Sequence, residues 1–311
     1  MLDVIDLAGL GSGDPVAVRR VAVDLGRACR DVGFFYIRNH GVPDALLSGI
    51  FERSAAFFSA PRAIKDEFGI KKSPHNRGYV GIATESLNLA QADLKEAFNI
   101  GLDLSESDPE VIAGKPFRGV NLWPQTPGFR ETALAYFNAV WRLGVDLHLA
   151  IAADLDLPPT FFADKFDRPM ATLRLLHYPP RDPGQGDLPG AGEHTDYGSL
   201  TILITDDVGG LEVRRRDGEW VKAPPIPGAF VCNIGDCLMR WSNDVYVSTP
   251  HRVTSPPGRD RYSVAFFLDP NPDAMIACLP GCEAPGQKPK YAPILAADYL
   301  KQRLVATYGT G

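Results

Sequence analysis

The chain has 311 residues, a formal net charge of −6 and a sequence pI of about 5.5. Hydrophobic residues make up 45% and charged residues 23% of it, which is ordinary for a globular protein with a large core. The acidic balance argues against a nucleic-acid partner, which would require a basic face, and no apolar run is long enough to span a membrane, so we expect neither partner.

The cysteines and the N-terminus together predict a cytoplasmic protein. The five cysteines include no paired C-x-x-C units, which fits reduced thiols better than a disulfide scaffold or a structural zinc site. The opening segment "MLDVIDLAGL" has early acidic residues and no basic region before an apolar block, so it does not read as a signal peptide.

Helical patterns dominate the first part of the chain. The segment "DPVAVRRVAVDLGRACRDVG" predicts a helix with Asp14 as its N-cap, Pro15 at its first position and Gly33 at its end. A short apolar strand, "FFYIRNHGVP", follows it. The segment "DALLSGIFERSAAFFSAP" predicts a second helix closed by Pro61, and residues 128–155 carry the longest helical pattern.

From about residue 170 the hydrophobic period changes from a helical one to two. No helix-length segment separates the strand-like pieces, so a parallel βαβ sheet is not expected, and the pattern favours a sandwich or a closed β structure. A last helix, "PILAADYLKQRLVATY", follows them. The predicted strands are "ATLRLLHYPP", "SLTILITDD", "GLEVRRR", "EWVKAPP", "AFVCNIGD", "STPHRVTS" and "RYSVAFFLDP".

Two histidines and an aspartate form a candidate metal site. His194 and Asp196 in "GEHTDYG" share one face of an extended segment, which aims an imidazole and a carboxylate at one point. By itself such a tripeptide also fits a surface loop in which the two side chains only hydrogen-bond. The site requires a third ligand from a distant strand, and His251 in "STPHRVTS" is our candidate.

The other histidines have more ordinary explanations. His40 lies in the predicted turn "NHGVP", and His75 lies in a polar loop. His148 falls among apolar residues of the long helix and is expected to be a hydrogen-bonded core residue. His177 ends a strand close to the candidate site and remains a secondary candidate.

Arg261 stands at the head of a strand that reads as buried. Arg261, Ser263, Ala265 and Phe267 share one face of "RYSVAFFLDP", and both faces are largely apolar. A buried guanidinium requires a partner, and a bidentate carboxylate is the preferred one, with the Ser263 hydroxyl adding a bond to the same anion. An internal salt bridge is the alternative explanation.

The segment "SPPGRD" predicts a turn near Pro257 that joins the strand of His251 to the strand of Arg261. If the two strands form a hairpin, His251 lies opposite Ser263 on the same face. This register would make the third metal ligand a neighbour of the carboxylate-binding residues.

The ligand types constrain the metal. Two histidines and one carboxylate with no cysteine fit non-haem Fe(II) when three facial positions stay open, and hydrolytic zinc sites use the same ligand types. A nearby carboxylate receptor favours Fe(II), because a chelating oxo-acid would fill two open positions and leave the third for O₂.

With these residues in place, the chain resembles the 2-oxoglutarate/Fe(II)-dependent dioxygenases, in the isopenicillin N synthase-like branch. The matching elements run in family order from about residue 3 to residue 305. They are "GFFYIRNHGVP", "RGYVG", "LRLLHYPP", "HTDYGSLTIL", "GLEV", "FVCNIGD", "STPHRV" and "RYSVAFFLDPN".

The resemblance implies a mainly β fold with α-helices, in which a double-stranded β-helix (jelly roll) core is flanked by N-terminal, central and C-terminal helices. It divides the single catalytic unit 1–311 into a mainly helical region 1–165 packed on the core, the core itself at 166–275, and a tail with a helix at 276–311.

The resemblance also implies residue roles. His194, Asp196 and His251 would bind Fe(II), and Arg261 with Ser263 would hold the distal carboxylate of 2-oxoglutarate. Tyr178 matches a tyrosine that touches the co-substrate or substrate carboxylate. Four residues are substrate candidates: Arg174, His177, Phe98 and Phe267. Four others match family positions that we interpret as turn and packing residues: Asn39, His40, Asn233 and Asp236.

The implied reaction is an O₂-dependent hydroxylation or desaturation of a small molecule, with 2-oxoglutarate converted to succinate and CO₂. Residues 76–101 and the C-terminal helix are where this family shapes its substrate pocket. Three alternatives stay open at this point: an Fe(II) oxidase of the same fold that does not use 2-oxoglutarate, a catalytically silent ligand-binding scaffold, and a zinc hydrolase.

Overall fold

The structure is a computed structural model that describes residues 1–82, 93–180, 190–254 and 258–308. These ranges contain seven α-helices, none of which has the length and apolar character needed to cross a bilayer. The helices are α1 (Pro15–Asp31), α2 (Asp44–Phe58), α3 (Arg62–Asp66), α4 (Pro109–Ile112), α5 (Phe129–Asp154), α6 (Asp236–Trp241) and α7 (Ala296–Tyr308).

The described ranges also contain fourteen strands. All seven strands predicted from the period-two pattern are present, as are β2 and the four long helices. The strands are β1 (Asp3–Asp6), β2 (Phe34–Arg38), β3 (Gly78–Val80), β4 (Glu96–Gly101), β5 (Thr172–Tyr178), β6 (Ala191–His194), β7 (Leu200–Thr205), β8 (Leu211–Arg214), β9 (Trp220–Lys222), β10 (Phe230–Ile234), β11 (His251–Val253), β12 (Arg261–Leu268), β13 (Met275–Ile276) and β14 (Ile294–Leu295).

Helix α1 begins and ends where the sequence predicts. The Asp14 carboxylate accepts a hydrogen bond from the Val16 amide, and Pro15 occupies the first helical position. The carboxylate satisfies one orphan donor of the helix N-terminus, and proline, which has no backbone N–H, removes another. Gly33 follows the helix with φ of 70°, the left-handed conformation that glycine adopts without steric cost. Cap and glycine together define the two ends of α1.

A large eight-stranded sheet forms the centre of the molecule. Its strand order is β1-β2-β10-β7-β12-β5-β4-β3, and every pair is antiparallel except β1 with β2. One face packs against α1, α2 and α5. Aromatic pairs such as Phe57 with Phe98 and Phe137 with Phe266, whose centroids are 4.8 and 5.0 Å apart, fill this layer. The other face is therefore free to line a site.

A second sheet, of order β6-β11-β8-β9, faces the large one. From β5 to β8 and again from β10 to β12, successive strands alternate between the two sheets. This alternation is the double-stranded β-helix, or jelly roll. Apolar residues from both inner faces, such as Leu176 on β5 and Val213 on β8, belong to one buried cluster between the sheets.

The predicted hairpin between the strands of His251 and Arg261 is wrong. Strand β11 pairs with β6 and β8 in the small sheet, whereas β12 pairs with β5 and β7 in the large one. His251 lies opposite His194 and Val213, and Ser263 lies opposite Leu176 and Thr205. Pro257, around which the turn was predicted, lies outside the described residues. The two candidate groups still meet, but across the gap between sheets.

Candidate active site

A cavity of about 1040 Å³ lies between the two sheets. Residues of α7, including Leu300 and Leu304, close part of its wall. Both sheets contribute polar side chains to an otherwise mostly apolar lining, as is usual for small-molecule sites. The lining includes eight of the residues predicted from the sequence: His194, Asp196, His251, Arg261, Ser263, Tyr178, Arg174 and Phe267.

Three of these residues converge on one point. His194 is the last residue of β6 and His251 the first of β11, and the two are direct partners in the sheet. Asp196 follows two residues beyond the end of β6. One ligand atom from each residue lies within 4.8 Å of the others. The Nε2 atoms of His194 and His251 are 3.8 and 3.6 Å from Asp196 Oδ1.

Hydrogen bonds set the direction of each imidazole. His194 Nδ1 lies 2.7 Å from the Gly192 carbonyl oxygen, and His251 Nδ1 lies 3.2 Å from that of Thr249. Because a carbonyl only accepts, each Nδ1 carries a proton, and each Nε2 faces the common point. Burial, followed by the neighbouring His251, lowers the pKa of His194 to about 3, so its imidazole is neutral and able to bind a metal.

Asp196 is held by its other carboxylate oxygen. Its Oδ2 accepts hydrogen bonds from Thr201 Oγ1 at 2.6 Å and Asn233 Nδ2 at 2.7 Å. Burial alone would raise the pKa of Asp196, but the two histidines and these two donors keep it below its ordinary value. Oδ1 is left facing the histidines. Two imidazoles and one carboxylate oxygen are the donor set of a facial Fe(II) site, so the residues present fit this metal.

Arg261 extends the site along the large sheet. It is 1% exposed, donates from Nε to the Gly209 carbonyl at 2.5 Å and from Nη1 to Ser263 Oγ at 3.3 Å, and lies 4.6 Å from the Tyr178 ring centroid. No carboxylate in the described ranges forms an ion pair with it. An internal salt bridge, the alternative raised by the sequence, is therefore not formed there, and the guanidinium is available to an anion in the cavity.

Comparisons with known proteins agree with this geometry. Family models described as "non-haem dioxygenase in morphine synthesis N-terminal" and "2OG-Fe(II) oxygenase superfamily" match residues 2–126 and 169–270. The 2-oxoglutarate-Fe(II) type oxidoreductase hxnY of Emericella nidulans is 35% identical over 98% of this chain and 90% of its own length. The chain belongs to the 2OG-Fe(II) oxygenase superfamily.

Solved structures and a further relative show the same similarity. A full-length Neurospora crassa enzyme in complex with alpha-KG and thymine has a TM-score of 0.85 at 34% identity, covering 99% of this chain and 97% of that one. A Caulobacter crescentus 2OG-Fe(II) oxygenase family protein has a TM-score of 0.87 at 32% identity, with 98% of both chains covered. Homoarginine-6-hydroxylase of Oryza sativa subsp. japonica is 34% identical over 99% of this chain and 97% of its own.

Membership determines the enzyme class. The protein is a 2-oxoglutarate/Fe(II)-dependent dioxygenase that uses Fe(II), 2-oxoglutarate and O₂ and acts on a small molecule. This outcome separates it from the zinc hydrolase, the silent scaffold and the 2-oxoglutarate-independent oxidase that the residues alone left open.

Two predicted substrate residues of this oxygenase lie away from the cavity lining that the described residues form. His177 contacts Glu96 Oε1 at 2.8 Å and Asp260 Oδ1 at 2.7 Å and stacks on Tyr262. Phe98 is fully buried among the aromatic residues that face the helices. Alternation along β4 and β5 turns both side chains to the opposite face of the sheet. Arg174 and Phe267 do line the cavity.

Two residues that the sequence led us to interpret as packing residues contact Asp196 or the loop that carries it. Asn233 binds Asp196 directly, as described above. Asp236 Oδ2 accepts from Thr195 Oγ1 at 3.0 Å and pairs with Arg303 of α7 at 2.6 Å. The Asp236 amide also donates to the Asp196 carbonyl at 2.7 Å. Asn233 is a polar residue on the otherwise apolar buried strand β10. This feature of the sequence could have indicated that it supports Asp196.

The start of α6 lies directly against the loop that follows β6 and carries Asp196. A β-carbon at Gly235 would collide with the Gly198 carbonyl oxygen, so only glycine permits this approach. The segment 83–92, in the middle of the loop predicted to shape the substrate pocket, lies outside the described residues.

Proposed function

We propose that His194, Asp196 and His251 bind Fe(II) through Nε2, Oδ1 and Nε2. The single observation that carries this proposal is the approach of these three ligand atoms to within 4.8 Å of one another. Their second polar atoms already have partners, so little reorganisation is needed on metal binding. A site prepared in this way keeps three positions on one side open to small ligands.

Arg261, with Ser263 and Tyr178, binds the distal carboxylate of 2-oxoglutarate in this proposal. The guanidinium is buried, oriented by Gly209 and Ser263, and forms no ion pair in the described ranges. A carboxylate there gains charge-assisted hydrogen bonds. The other end of the co-substrate then reaches the histidine pair across the inter-sheet gap.

Bound Fe(II) and 2-oxoglutarate supply O₂ activation coupled to decarboxylation, with succinate and CO₂ as products. The chain supplies position and exclusion of water. Leu203, Ala265 and Phe267 form apolar parts of the lining on the large sheet, which limits side reactions with solvent. The substrate is hydroxylated or desaturated at the carbon held nearest the triad.

The primary substrate is a small organic molecule. Named relatives act on or bind dissimilar compounds, thymine in one solved structure and homoarginine in one relative's name. Their substrates therefore define a size class rather than a compound for this chain.

Residues 1–311 form one catalytic unit in this proposal, with the core at 166–275 supported by the flanking regions. Strands β1 to β4, which precede residue 166, hydrogen-bond into the same large sheet as β5, β7, β10 and β12. The region before residue 166 is thus expected not to fold as a separate domain.

The test measures metal binding, then 2-oxoglutarate turnover. We expect the Fe(II)-loaded protein to release succinate slowly without substrate. His251→Ala should remove metal binding, measured by titration with metal analysis. Arg261→Ala should retain the metal but raise the KM for 2-oxoglutarate roughly 30-fold or more, because it removes a buried charge-assisted contact.

Matched controls replace residues of the same type outside the cavity. His40→Ala alters a turn histidine that bonds Gly228, and Arg19→Ala alters an arginine whose side chain is 70% exposed. Both should behave as the parent protein. Retained metal in His251→Ala would discard the triad, and an unchanged KM in Arg261→Ala would discard the assignment of the carboxylate site.

A further inference from the structure

A second buried arginine lines the same cavity and has no partner among the residues that the structure describes. Arg77 precedes β3, is 3% exposed and belongs to the cavity lining. It donates no hydrogen bond and forms no ion pair within the described ranges, and its Nε is a buried donor with no acceptor. Most buried charges are paired because desolvation of an isolated charge is costly, so this arrangement requires an explanation.

Two other cations of the cavity lining have acidic partners. Lys95 contacts Asp93 at 2.7 Å, and Arg62 contacts Asp66 at 3.2 Å. Arg118, buried as deeply as Arg77, pairs with Glu110 at 2.9 Å. Burial, followed by the charge of Arg118, lowers the pKa of Arg77 to about 10. Arg77 therefore remains protonated at neutral pH and carries an uncompensated charge.

The chain makes room for this guanidinium. A β-carbon at Gly101, the last residue of β4, would overlap the Arg77 guanidinium, so the glycine lets it lie directly on the strand. Asn99, two residues earlier on the same face, also lines the cavity. Its Nδ2 lies 3.4 Å from the Asn76 carbonyl oxygen, and its Oδ1 is buried without a partner. The Asn99 Nδ2 has a second hydrogen beyond the one directed at Asn76, so a guanidinium and an amide N–H donor face one end of the cavity.

Sheet register gives the distance from this end to the metal site. Thr201, which binds Asp196 at 2.6 Å, lies opposite Phe267, then Thr172, then Gly101 along one row. Three strand spacings amount to about 14 Å. A hydrogen bond at the guanidinium takes up about 3 Å of this distance, and a reactive contact at the other end takes up about 3 Å more. Roughly 8 Å remain between the carboxylate of a bound substrate and its reacting carbon.

We propose that Arg77, assisted by Asn99, binds the carboxylate of the primary substrate, so that this oxygenase oxidises small carboxylic acids at a carbon several bonds from the carboxyl group. The inference rests on the proposed function, because it needs the metal at the triad. A full negative charge is required, since a neutral carbonyl compound would leave the Arg77 charge uncompensated. Arg261 on β12, which lies beside Tyr178 at the end of β5, stays available to 2-oxoglutarate.

Binding is measured by calorimetry on the full chain loaded with Mn(II) and 2-oxoglutarate without O₂, which prevents turnover. The probes are the common amino acids, hexanoate, octanoate and 3-phenylpropanoate, each compared with its primary amide, together with thymine as a neutral compound. We expect at least one acid to bind roughly 30-fold or more tightly than its amide, and Arg77→Gln to remove that difference. Arg77→Lys should restore part of it, and Arg19→Gln should leave it unchanged.

Two further readouts separate a substrate role from a structural one. Arg77→Met removes an unpaired buried charge, so its Tm should equal or exceed that of the parent protein, whereas a structural arginine would lower it. Succinate release without substrate, and the KM for 2-oxoglutarate, should be unchanged in Arg77→Gln and Arg77→Met.

The inference is overturned if no acid binds better than its amide, if thymine binds better than every acid, or if Arg77→Gln leaves the preference for acids intact. A rise in the KM for 2-oxoglutarate in Arg77→Gln would assign Arg77 to the co-substrate and likewise overturn it. Absence of succinate release from the parent protein would instead overturn the proposed function, while calorimetry would still test Arg77.

Discussion

At the residue scale, each metal-ligand candidate is positioned by a polar atom that the metal does not need. The Nδ1 atoms of His194 and His251 face backbone carbonyls, and Asp196 Oδ2 binds Thr201 and Asn233. Such supporting contacts orient a ligand and determine its basicity. They make the site sensitive to residues that never touch the metal.

Asn233→Ala should weaken metal binding roughly 10- to 100-fold, because Asp196 Oδ2 loses one of its two side-chain donors. A competition titration against a chelator measures this. Asn39→Ala, which alters a turn asparagine bonded to Asp6, is the matched control. An affinity equal to that of the parent protein in Asn233→Ala would contradict the proposed support of Asp196.

His148 makes stability depend on pH. It is 1% exposed between the Gly144 carbonyl and the Ser199 hydroxyl, and burial lowers its pKa to about 4. The unfolded chain protonates this histidine below about pH 6.5, while the folded protein does not until about pH 4. Proton uptake therefore favours unfolding as the pH falls through this window, by up to about 3 kcal/mol.

Urea unfolding of the parent protein and of His148→Gln, measured between about pH 7 and pH 4, isolates this contribution. We expect the free energy of unfolding to fall less steeply with decreasing pH in the variant. Identical slopes would show that His148 does not carry the dependence.

At the element scale, a buried network explains why β4 was not predicted. Glu96 heads this strand and binds Lys65 of α3 at 2.7 Å, Tyr79 of β3 at 2.5 Å and His177 of β5 at 2.8 Å. These partners satisfy the charge, so a glutamate occupies a position that local pattern assigns to solvent. The network joins the edge of the large sheet to the helical layer and gives His177 a structural role.

His177→Ala should lower the free energy of unfolding by about 1–3 kcal/mol, because Glu96 loses a buried partner. Succinate release per folded molecule should stay at the level of the parent protein. Urea unfolding and the turnover assay are run on the same preparations, with His40→Ala as the histidine control. Normal stability combined with altered turnover would return His177 to the list of substrate residues.

At the scale of the whole molecule, the proposed ligands join two sheets. The triad belongs to the small sheet and the loop after β6, whereas Arg261 belongs to β12 at the centre of the large sheet. A metal with a chelated co-substrate would therefore link both layers. Such ligands stabilise the folded state by mass action, since the unfolded chain lacks the assembled site.

Metal and 2-oxoglutarate should raise stability in two separable steps. At a ligand concentration of about 100 times the Kd, each step contributes about 2.7 kcal/mol. Differential scanning calorimetry with Mn(II), then with Mn(II) and 2-oxoglutarate, measures them as successive increases in Tm. Arg261→Ala should keep the first and lose most of the second, and loss of both would mean that this arginine supports the fold rather than the co-substrate.

Much of the site could be predicted because its signals are local. The spacing of His194 and Asp196, and an arginine heading an apolar strand at Arg261, depend only on residue type and period two. The ends of α1 follow from Asp14, Pro15 and Gly33 for the same reason. Such features are decided by neighbours within a few residues, which the sequence displays directly.

Which strands pair, and which buried charged side chains have partners, depended on the tertiary structure. Whether β11 joins β12 or β6 is a choice between contacts far apart in the chain, and a near-neighbour turn suggested the wrong one. Arg77 has no partner in the described part of the chain, whereas Glu96 has three, and both facts follow only once distant strands and helices are packed. Sequence alone therefore determined which groups this oxygenase carries and what class of chemistry they perform. Only the packed sheets decided which of them face the cavity, because burial and charge compensation are properties of the surroundings rather than of the residue.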